Sequence, residues 1–320
     1  MAIMNASVPN DSNKRSDAAA SLRDFFDHQL HHLHELAVGF SKHRQELDQQ
    51  AEQDREMVEN FVDVANAKMR VVHDYGERLR DYVRGLYSHV LAVAEQIPSV
   101  VDLNKDAFRA NPMVNALFVN TDDIERLFAN SPDLRSFLKS YDQQQLSVVY
   151  ALLTACKSER STLGIGMMGD LLVRDLPQQT VNFSSHKLHI PCVTSDALAV
   201  AVKQYLFERI VMLIKQDIAA RIANHTFTPE DNSYQSRLNS LANPSVYLDT
   251  LIEYLAVPDN LLRIEKTHIK LNKLGIKITE DDNQNANEFD IFELIWSDQS
   301  SHVLLQVAYS LQSCNDQPLV

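Results

Sequence analysis

The chain has 320 residues, of which 45% are hydrophobic, so it is long enough for one large domain or two to three small ones and apolar enough to bury a core. Its 43 acidic and 30 basic residues give a net charge of −13, which repels the phosphates of nucleic acids and anionic membrane surfaces. We therefore expect no nucleic-acid partner. We also expect no insertion into a membrane, because no stretch of the sequence reaches the roughly 18 apolar residues that a membrane span needs.

The cysteines and the N-terminal residues indicate the cell compartment in which the protein is expected. The chain has three widely spaced cysteines, Cys156, Cys192 and Cys314, which form neither a disulfide framework nor a C-x-x-C pair. The first 17 residues are polar and lack the apolar core of a secretory signal. These features favour a reducing compartment and predict a cytoplasmic protein.

The N-terminal third is predicted to be helical after a disordered tail at residues 1–16. Residues 17–97 contain no proline and predict a long amphipathic helix or a helical hairpin. Between 42 and 56 the apolar face almost vanishes, which favours a hinge or turn there. From 58 to 97 the pattern is close to a heptad seam, and such a seam needs a partner helix. The partner would be residues 17–50 of the same chain, or the same segment of a second copy in a homodimer.

In the remainder of the chain the residue pattern changes from long helices to short helices and then to a mixture of helices and strands. Residues 98–160 predict a region of short helices that ends in a buried helix over Leu146–Cys156. Residues 161–320 predict an α+β domain with a polar loop at 225–244. Its last two strand candidates, at 289–296 and 303–309, resemble a terminal hairpin.

Together these elements define the expected fold class. It is α+β and predominantly helical, with a long N-terminal helical hairpin or coiled coil, then a helical region. A C-terminal α+β domain with a small, mainly antiparallel sheet follows.

A glycine motif lies at the start of the predicted C-terminal domain. Gly164, Gly166 and Gly169 match G-x-G-x-x-G, the spacing with which dinucleotide folds bring a pyrophosphate against a helix N-terminus. The context argues against a cofactor site, since a helix is predicted before the motif and no acidic residue lies about 20 positions after it. A tight connection between a helix and a strand is the alternative.

Histidines suggest two metal sites, and for each of them the sequence also has an interpretation without a metal. His28, His32 and Glu35 would share one helix face and could hold a divalent metal, although a solvated polar face has the same pattern. His186, His189 and Cys192 have suitable side chains, but residues three apart on an extended strand point to opposite faces. We expect no cofactor, and a divalent metal is the one exception that these residues leave open.

A dense mixture of hydrogen-bonding side chains marks the place where a pocket is most expected. The candidates are Arg174, Asp175, Gln178, Asn182 and His186. Ordinary polarity of a loop or hairpin is the alternative interpretation.

No strong catalytic motif is present, which argues against an enzyme without excluding one. The extended seam makes an intracellular interaction or scaffolding protein the leading hypothesis, with a protein partner or a second copy bound by the long helical region. The alternative is a ligand- or metal-binding module, or an unrecognised enzyme, with its site around residues 164–192.

Overall fold

The computed structural model describes residues 43–140, 146–168, 171–224, 243–272, 274–278 and 286–311. These residues fall into two compact units. The first, here called the helical unit, contains residues 43–88, 203–224 and 243–256. The second, the sheet unit, contains the described residues of 89–202 and those from 257 onward.

Apart from a two-residue strand at Val101–Asp102, the elements follow one another in the order helices, strands, helices, strands. The helices are α1 (His43–Ala65), α2 (Tyr75–Glu95), α3 (Lys105–Ala110), α4 (Pro112–Leu117), α5 (Thr121–Asn130), α6 (Pro132–Ser140), α7 (Ser195–Asn224) and α8 (Pro244–Leu255). The strands are β1 (Val101–Asp102), β2 (Val148–Met168), β3 (Leu171–Cys192), β4 (Leu262–Leu271), β5 (Asn287–Trp296) and β6 (Ser301–Ser310). Short 3₁₀ helices span Ala67–Val71 and Pro258–Asn260.

The apolar seam of the N-terminal region is buried inside the helical unit. The ring of Phe207 in α7 lies 4.4 Å from that of Tyr87 in a stacked pair, and 6.1 Å from that of Phe61 in an edge-to-face pair. Other seam residues within this unit are also buried, namely Val58, Ala65, Leu79 and Leu86. A single copy of the chain therefore covers most of the seam in this unit.

The predicted place at which the long helix is interrupted is wrong. No hinge falls within residues 43–56, because α1 runs through them to Ala65, and the chain breaks only afterwards. Asn66 is extended, with φ of −166°, and its side chain accepts a hydrogen bond from the backbone N–H of Lys68. This cap starts a separate 3₁₀ helix, so the α-helix cannot continue. Residues 1–42, which would form the first part of the predicted coiled coil, lie outside the described residues.

The predicted small sheet is also wrong, because the sheet is large and contains two strands of more than twenty residues. Six strands form one curled sheet in the order β3-β2-β6-β5-β4, and β1 pairs with β6. All neighbours in that order are antiparallel, while β1 runs parallel to β6. β2 passes through the boundary predicted between residues 160 and 161.

The error over Leu146–Cys156 has a clear physical cause. This segment was expected to be a helix, but from Val148 it is the first part of β2. Its residues are buried on both faces of the sheet, as in the run Ala151–Ala155. A strand buried on both faces has no alternation of apolar and polar residues, so its sequence resembles that of a buried helix.

Helices α3–α6 and one face of the sheet share a hydrophobic core in the sheet unit. The core includes Leu117, Phe128, Leu153, Ile291 and Val307. The ring of Phe128 in α5 stacks on that of Tyr309 in β6, with centroids 3.7 Å apart. These contacts fix the position of β2 and β3 relative to the short helices. In the described parts of the chain, no helix is both long and apolar enough to cross a bilayer.

Candidate functional site

The pocket and glycine residues predicted between 164 and 186 lie on the long hairpin of β2 and β3. β6 pairs with β2 only from Val148 to Ala155. Beyond that point β2 and β3 continue together as a pair to Met168 and Leu171. We call the part formed by residues 156–168 and 171–184 the β arm.

The glycine motif forms an irregularity in the β arm, not a connection between a helix and a strand. The pairing shifts register between Gly164, which faces Leu176, and Gly166, which faces Val173. Gln178 fills the space beside Gly164, where an added Cβ would collide with its side-chain amide. The Nε2 of Gln178 donates to the carbonyl oxygen of Ile165, 3.1 Å away. Gly164 thus makes room for the side chain that satisfies the irregular backbone, and Gly169 lies outside the described residues.

The five pocket candidates are spread along β3. Arg174 and Asp175 are exposed near the tip, and Asp175 has a positive φ of 62°. Asn182 and His186 lie seven to twelve positions further along the same strand, which corresponds to about 23–40 Å at 3.3 Å per residue. The structure therefore does not gather the five residues into one pocket. The metal candidates His28, His32 and Glu35 lie outside the described residues.

Hydrogen bonds on the outer side of β3 fix which backbone groups of the β arm point outward. The carbonyl oxygen of Gln179 accepts from Lys277 N at 2.8 Å, and Val181 N donates to the carbonyl oxygen of Gly275 at 2.8 Å. Gln179 and Val181 therefore turn their N–H and C=O groups away from β2. In an antiparallel pair, directly opposite residues either bond each other or both face outward.

The same rule identifies the outward-facing residues of β2. The partners of Pro177, Gln179 and Val181 are Leu163, Ser161 and Glu159. Leu163, Ser161 and Glu159 therefore point their backbone groups away from β3. Among the described residues, no other strand pairs with this side of β2 beyond Ala155. We call the backbone of Glu159, Ser161 and Leu163 the free edge.

The two edges of the β arm differ in how well they are protected. On the β3 side, residues 275–277 cover part of the edge, and Pro177 has no N–H to offer. On the β2 side, the eight residues from Ser161 to Met168 carry no charge and no proline. The side chains of Leu163 and Ile165 in this run are 69% and 60% exposed. Sheet edges are normally protected from pairing by charges, prolines or covering segments. Within the described chain the run from Ser161 to Met168 lacks all three, whereas Glu159, at the base of the free edge, is charged.

Ion pairs hold the base of the β arm. The Nζ of Lys157 contacts a carboxylate oxygen of Glu293 in β5, and Lys277 Nζ lies 2.6 Å from Glu159 Oε2. Burial alone would lower the pKa of Lys157, but its hydrogen bonds to Glu293 and Glu159 outweigh this and raise it. Lys157 is therefore charged at neutral pH although its side chain is only 15% exposed.

His186 is half-buried in the sheet unit and packs against a core residue. Its ring stacks on that of Phe118 with centroids 4.8 Å apart, and it hydrogen-bonds to the backbone of Leu117. Its Nε2 is buried and finds no hydrogen-bond partner among the described residues. Burial lowers the pKa of His186, more than the Leu117 bond and the charge of Asp123 raise it. The ring is neutral at pH 7 as a result.

A hydroxyl, an imidazole and a carboxylate follow one another near the end of β3. Thr154 Oγ1 lies 3.1 Å from His189 Nε2, and His189 Nδ1 lies 3.9 Å from Asp133 Oδ2. This order resembles a hydrolase triad, but 3.9 Å is too long for a hydrogen bond and Thr154 is only 6% exposed. In this conformation the hydroxyl is not presented to a substrate. Within the described ranges, no three His, Cys, Asp or Glu side chains are grouped to hold a metal ion.

The comparisons with known proteins give no further guide to function. No protein-family model, curated protein or solved structure matches the chain. The sequence pattern indicated the glycines as candidates but not Ser161 and Leu163. The available signal was the uncharged run from 161 to 168, in a chain of which 23% of residues are charged.

Proposed function

We propose that this chain is an interaction protein that self-associates, with the free edge of β2 in one copy pairing with the free edge of a second copy. The observation that carries the proposal is the outward-facing backbone of Glu159, Ser161 and Leu163 on an edge that no described strand covers. Main-chain hydrogen bonds across such an edge supply affinity in strand-addition complexes.

A second copy is the favoured occupant for two reasons. A closed dimer joins identical surfaces about a twofold axis, and antiparallel strands satisfy this symmetry. With the axis at Ser161, Glu159 of each copy would face Leu163 of the other, so every outward-facing residue meets another one. No two like charges lie directly opposite each other in this arrangement.

The absence of charge also favours the run from Ser161 to Met168 over the rest of the surface as the place where two copies associate. Each copy carries a net charge of −13, so two copies repel each other at most surfaces. The uncharged run from Ser161 to Met168 avoids that repulsion. Burial of the exposed Leu163 and Ile165 side chains would add hydrophobic stabilisation.

Association through residues 58–97 stays an untested prediction with less support. The apolar residues that would form the dimer seam, such as Phe61, Leu79 and Leu86, are buried within one copy. A second helix has few apolar side chains left to contact there.

A cytoplasmic location is part of the same proposal. Cys156 in β2 is a free thiol, and the buried Sγ of Cys192 in β3 donates to the carbonyl oxygen of Ile190 at 3.4 Å. Free cysteines are usual where glutathione keeps thiols reduced. Microscopy of the tagged chain tests this, and an extracellular or organellar signal would contradict it.

Sedimentation velocity of the full chain over a range of concentrations tests the self-association. We expect a dimer. Ser161→Pro removes one outward N–H without removing a bond to β3, and Leu163→Glu places a second acidic side chain directly opposite Glu159 of the other copy. Each variant should weaken the dimer by about tenfold or more, equivalent to about 1.4 kcal/mol.

Val71→Glu is the matched control, because Val71 is 80% exposed and lies in the helical unit. It should dimerise like the unmodified chain. A chain that stays monomeric at every concentration would overturn the proposal, and so would a dimer that both edge variants leave intact. Circular dichroism melts establish that the variants are folded.

A further inference from the structure

An open cleft of about 690 Å³ lies in the sheet unit, apart from the free edge. Its walls come from α3 and α4, the middle of β3 and the segment after β4. Ligand sites in proteins usually have volumes of about 300–1,000 Å³, so the cleft is large enough to hold part of a binding partner.

Five asparagines line this cleft, and we call it the asparagine cleft. They are Asn111, Asn115, Asn182, Asn272 and Asn287. Each side-chain amide carries an acceptor oxygen and two donor hydrogens, so it recognises other amides and hydroxyls well.

Some of these groups hold the walls in place. Asn111 Oδ1 accepts from the backbone N–H groups of Met113 and Val114, at 3.0 and 3.3 Å. Asn287 Nδ2 donates to Asn115 Oδ1 at 3.2 Å, which joins β5 to α4. Rigid walls lower the entropy cost of binding, because fewer side chains need to be ordered.

Other groups have hydrogen-bonding capacity to spare. Within the described residues, the Nδ2 groups of Asn111 and Asn272, the Oδ1 of Asn287 and the side-chain amide of Asn182 have no protein partner. The cleft therefore offers both donors and acceptors. Main-chain N–H and C=O groups of an extended segment match that mixture.

The charge and the exposed apolar side chains of the cleft lining indicate which kind of ligand would bind there. Among the described residues that line the cleft, Arg109 alone is charged. Val119 and Leu274, also in the lining, are 84% and 80% exposed. Such aliphatic side chains are suited to contact the apolar side chains of a peptide.

A sugar is a less suitable occupant of the same amides. A sugar ring packs best on an open aromatic face. Two phenylalanines line the cleft, but Phe108 is half-buried against the core and Phe118 is buried, so neither ring is fully open. The ring of Phe118 is stacked on His186 at 4.8 Å, and the residue is only 3% exposed.

We propose that the asparagine cleft binds an extended peptide segment of a partner protein, one without lysine or arginine and with apolar side chains. The backbone of that segment hydrogen-bonds to the spare amides, and its side chains contact Val119 and Leu274. This site goes beyond self-association, because it uses neither Ser161 nor Leu163 and serves a different partner.

Selection from a phage-displayed library of random peptides on the immobilised full chain tests the proposal. We expect enrichment of peptides rich in apolar residues and poor in lysine and arginine. Synthetic versions are then titrated by fluorescence anisotropy. Combining Val119→Ser with Leu274→Ser should weaken binding by about tenfold or more, because both apolar contacts are lost.

Asn182→Ala is a second, independent variant, and it should weaken binding by about fivefold through one lost hydrogen bond. Val71→Ser, an equally exposed site in the helical unit, should leave binding unchanged. Absence of enriched peptides overturns the proposal. It is also overturned if the selected peptides bind the Val119 and Leu274 variant unweakened, or if neutral oligosaccharides displace them.

Discussion

The side chain of Gln178 crosses from β3 to β2, where its Nε2 donates to the carbonyl oxygen of Ile165 at 3.1 Å. That carbonyl lies at the register shift of the β arm, between Gly164 and Gly166. A side chain thus replaces a backbone partner at the point where the strand pairing is irregular. Gly164 permits this because it has no Cβ to collide with the amide of Gln178. The irregular backbone of this bulge is therefore satisfied within the β arm itself.

Gly164→Ala should loosen the β arm. The added methyl group displaces Gln178, and the Ile165 carbonyl loses its partner. We expect amide hydrogens of residues 161–168 to exchange about tenfold faster, which corresponds to about 1.4 kcal/mol. Hydrogen-exchange mass spectrometry measures this, and the helical unit is an internal control. The double change Gly164→Ala with Gln178→Ala removes the collision, so the two effects should not add. Unaltered exchange in the single variant would contradict this account.

The sequence predicted some elements well because their cues are local. The terminal hairpin prediction is confirmed, since β5 and β6 pair between Glu293 and Val303. The partner of Gly164 could not be predicted, because Gln178 lies fourteen residues away and only the pairing register brings them together. The asparagine cleft could not be predicted from the sequence for the same reason. Asn115 and Asn287 are 172 positions apart, and no periodic pattern connects them.

The pair of Lys157 and Glu293 is expected to be a large local contribution to the stability of the sheet unit. Their side chains are 15% and 11% exposed, so either one left alone would be a charge with little water around it. Lys157→Met alone should lower the free energy of unfolding by about 3 kcal/mol. Glu293→Leu alone should lower it by less, because Lys157 keeps its ion pair with Glu159, 3.3 Å away. The double variant should recover most of this loss, because two apolar side chains pack without a desolvation cost.

Urea unfolding of the four proteins gives the coupling energy of the Lys157 and Glu293 pair directly. The exposed pair of Arg126 and Asp123, at 3.2 Å, is the matched control. Removing it should change stability by less than about 1 kcal/mol. Single and double variants of Lys157 and Glu293 that destabilise additively would show that the two charges act independently.

Acid should destabilise the fold through His186. Burial lowers the pKa of His186 in the folded chain below its ordinary value of 6.5, so the unfolded chain takes up the proton first as the pH falls. Its contribution to stability is therefore fully present above pH 6.5 and is lost as the pH falls through the lower folded pKa. One such group changes the free energy of unfolding by at most about 1.4 kcal/mol per pH unit. Urea titrations at several pH values from 7.5 to about 5 measure this slope.

His186→Phe separates this residue from other titrating groups. Phenylalanine keeps a ring against Phe118 and carries no proton. The variant should be less sensitive to acid than the unmodified chain, but not insensitive, because burial also lowers the pKa of His189. An identical slope in the two proteins would mean that the imidazole of His186 does not titrate between the folded and unfolded states in this range.

Alanine substitutions at two glycines should change the stability of the chain in opposite directions. Gly275 has a φ of 74°, and an added Cβ would lie 2.9 Å from the carbonyl oxygen of Val181. Both the left-handed backbone and the contact oppose a side chain, so Gly275→Ala should destabilise the chain by about 2 kcal/mol. Gly85 lies inside α2 with nothing within 4 Å of its Cβ position. Gly85→Ala should stabilise the chain by about 0.5–1 kcal/mol through helix propensity.

Thermal unfolding of the two glycine variants provides the test, since each change adds the same methyl group. A lower midpoint for Gly275→Ala and a higher one for Gly85→Ala are expected. The Gly275 variant should also weaken peptide binding, because Gly275 lines the asparagine cleft and its carbonyl accepts from Val181 N at 2.8 Å. If Gly275→Ala is as stable as the unmodified chain, the turn after β4 tolerates a side chain and does not constrain the wall of the cleft.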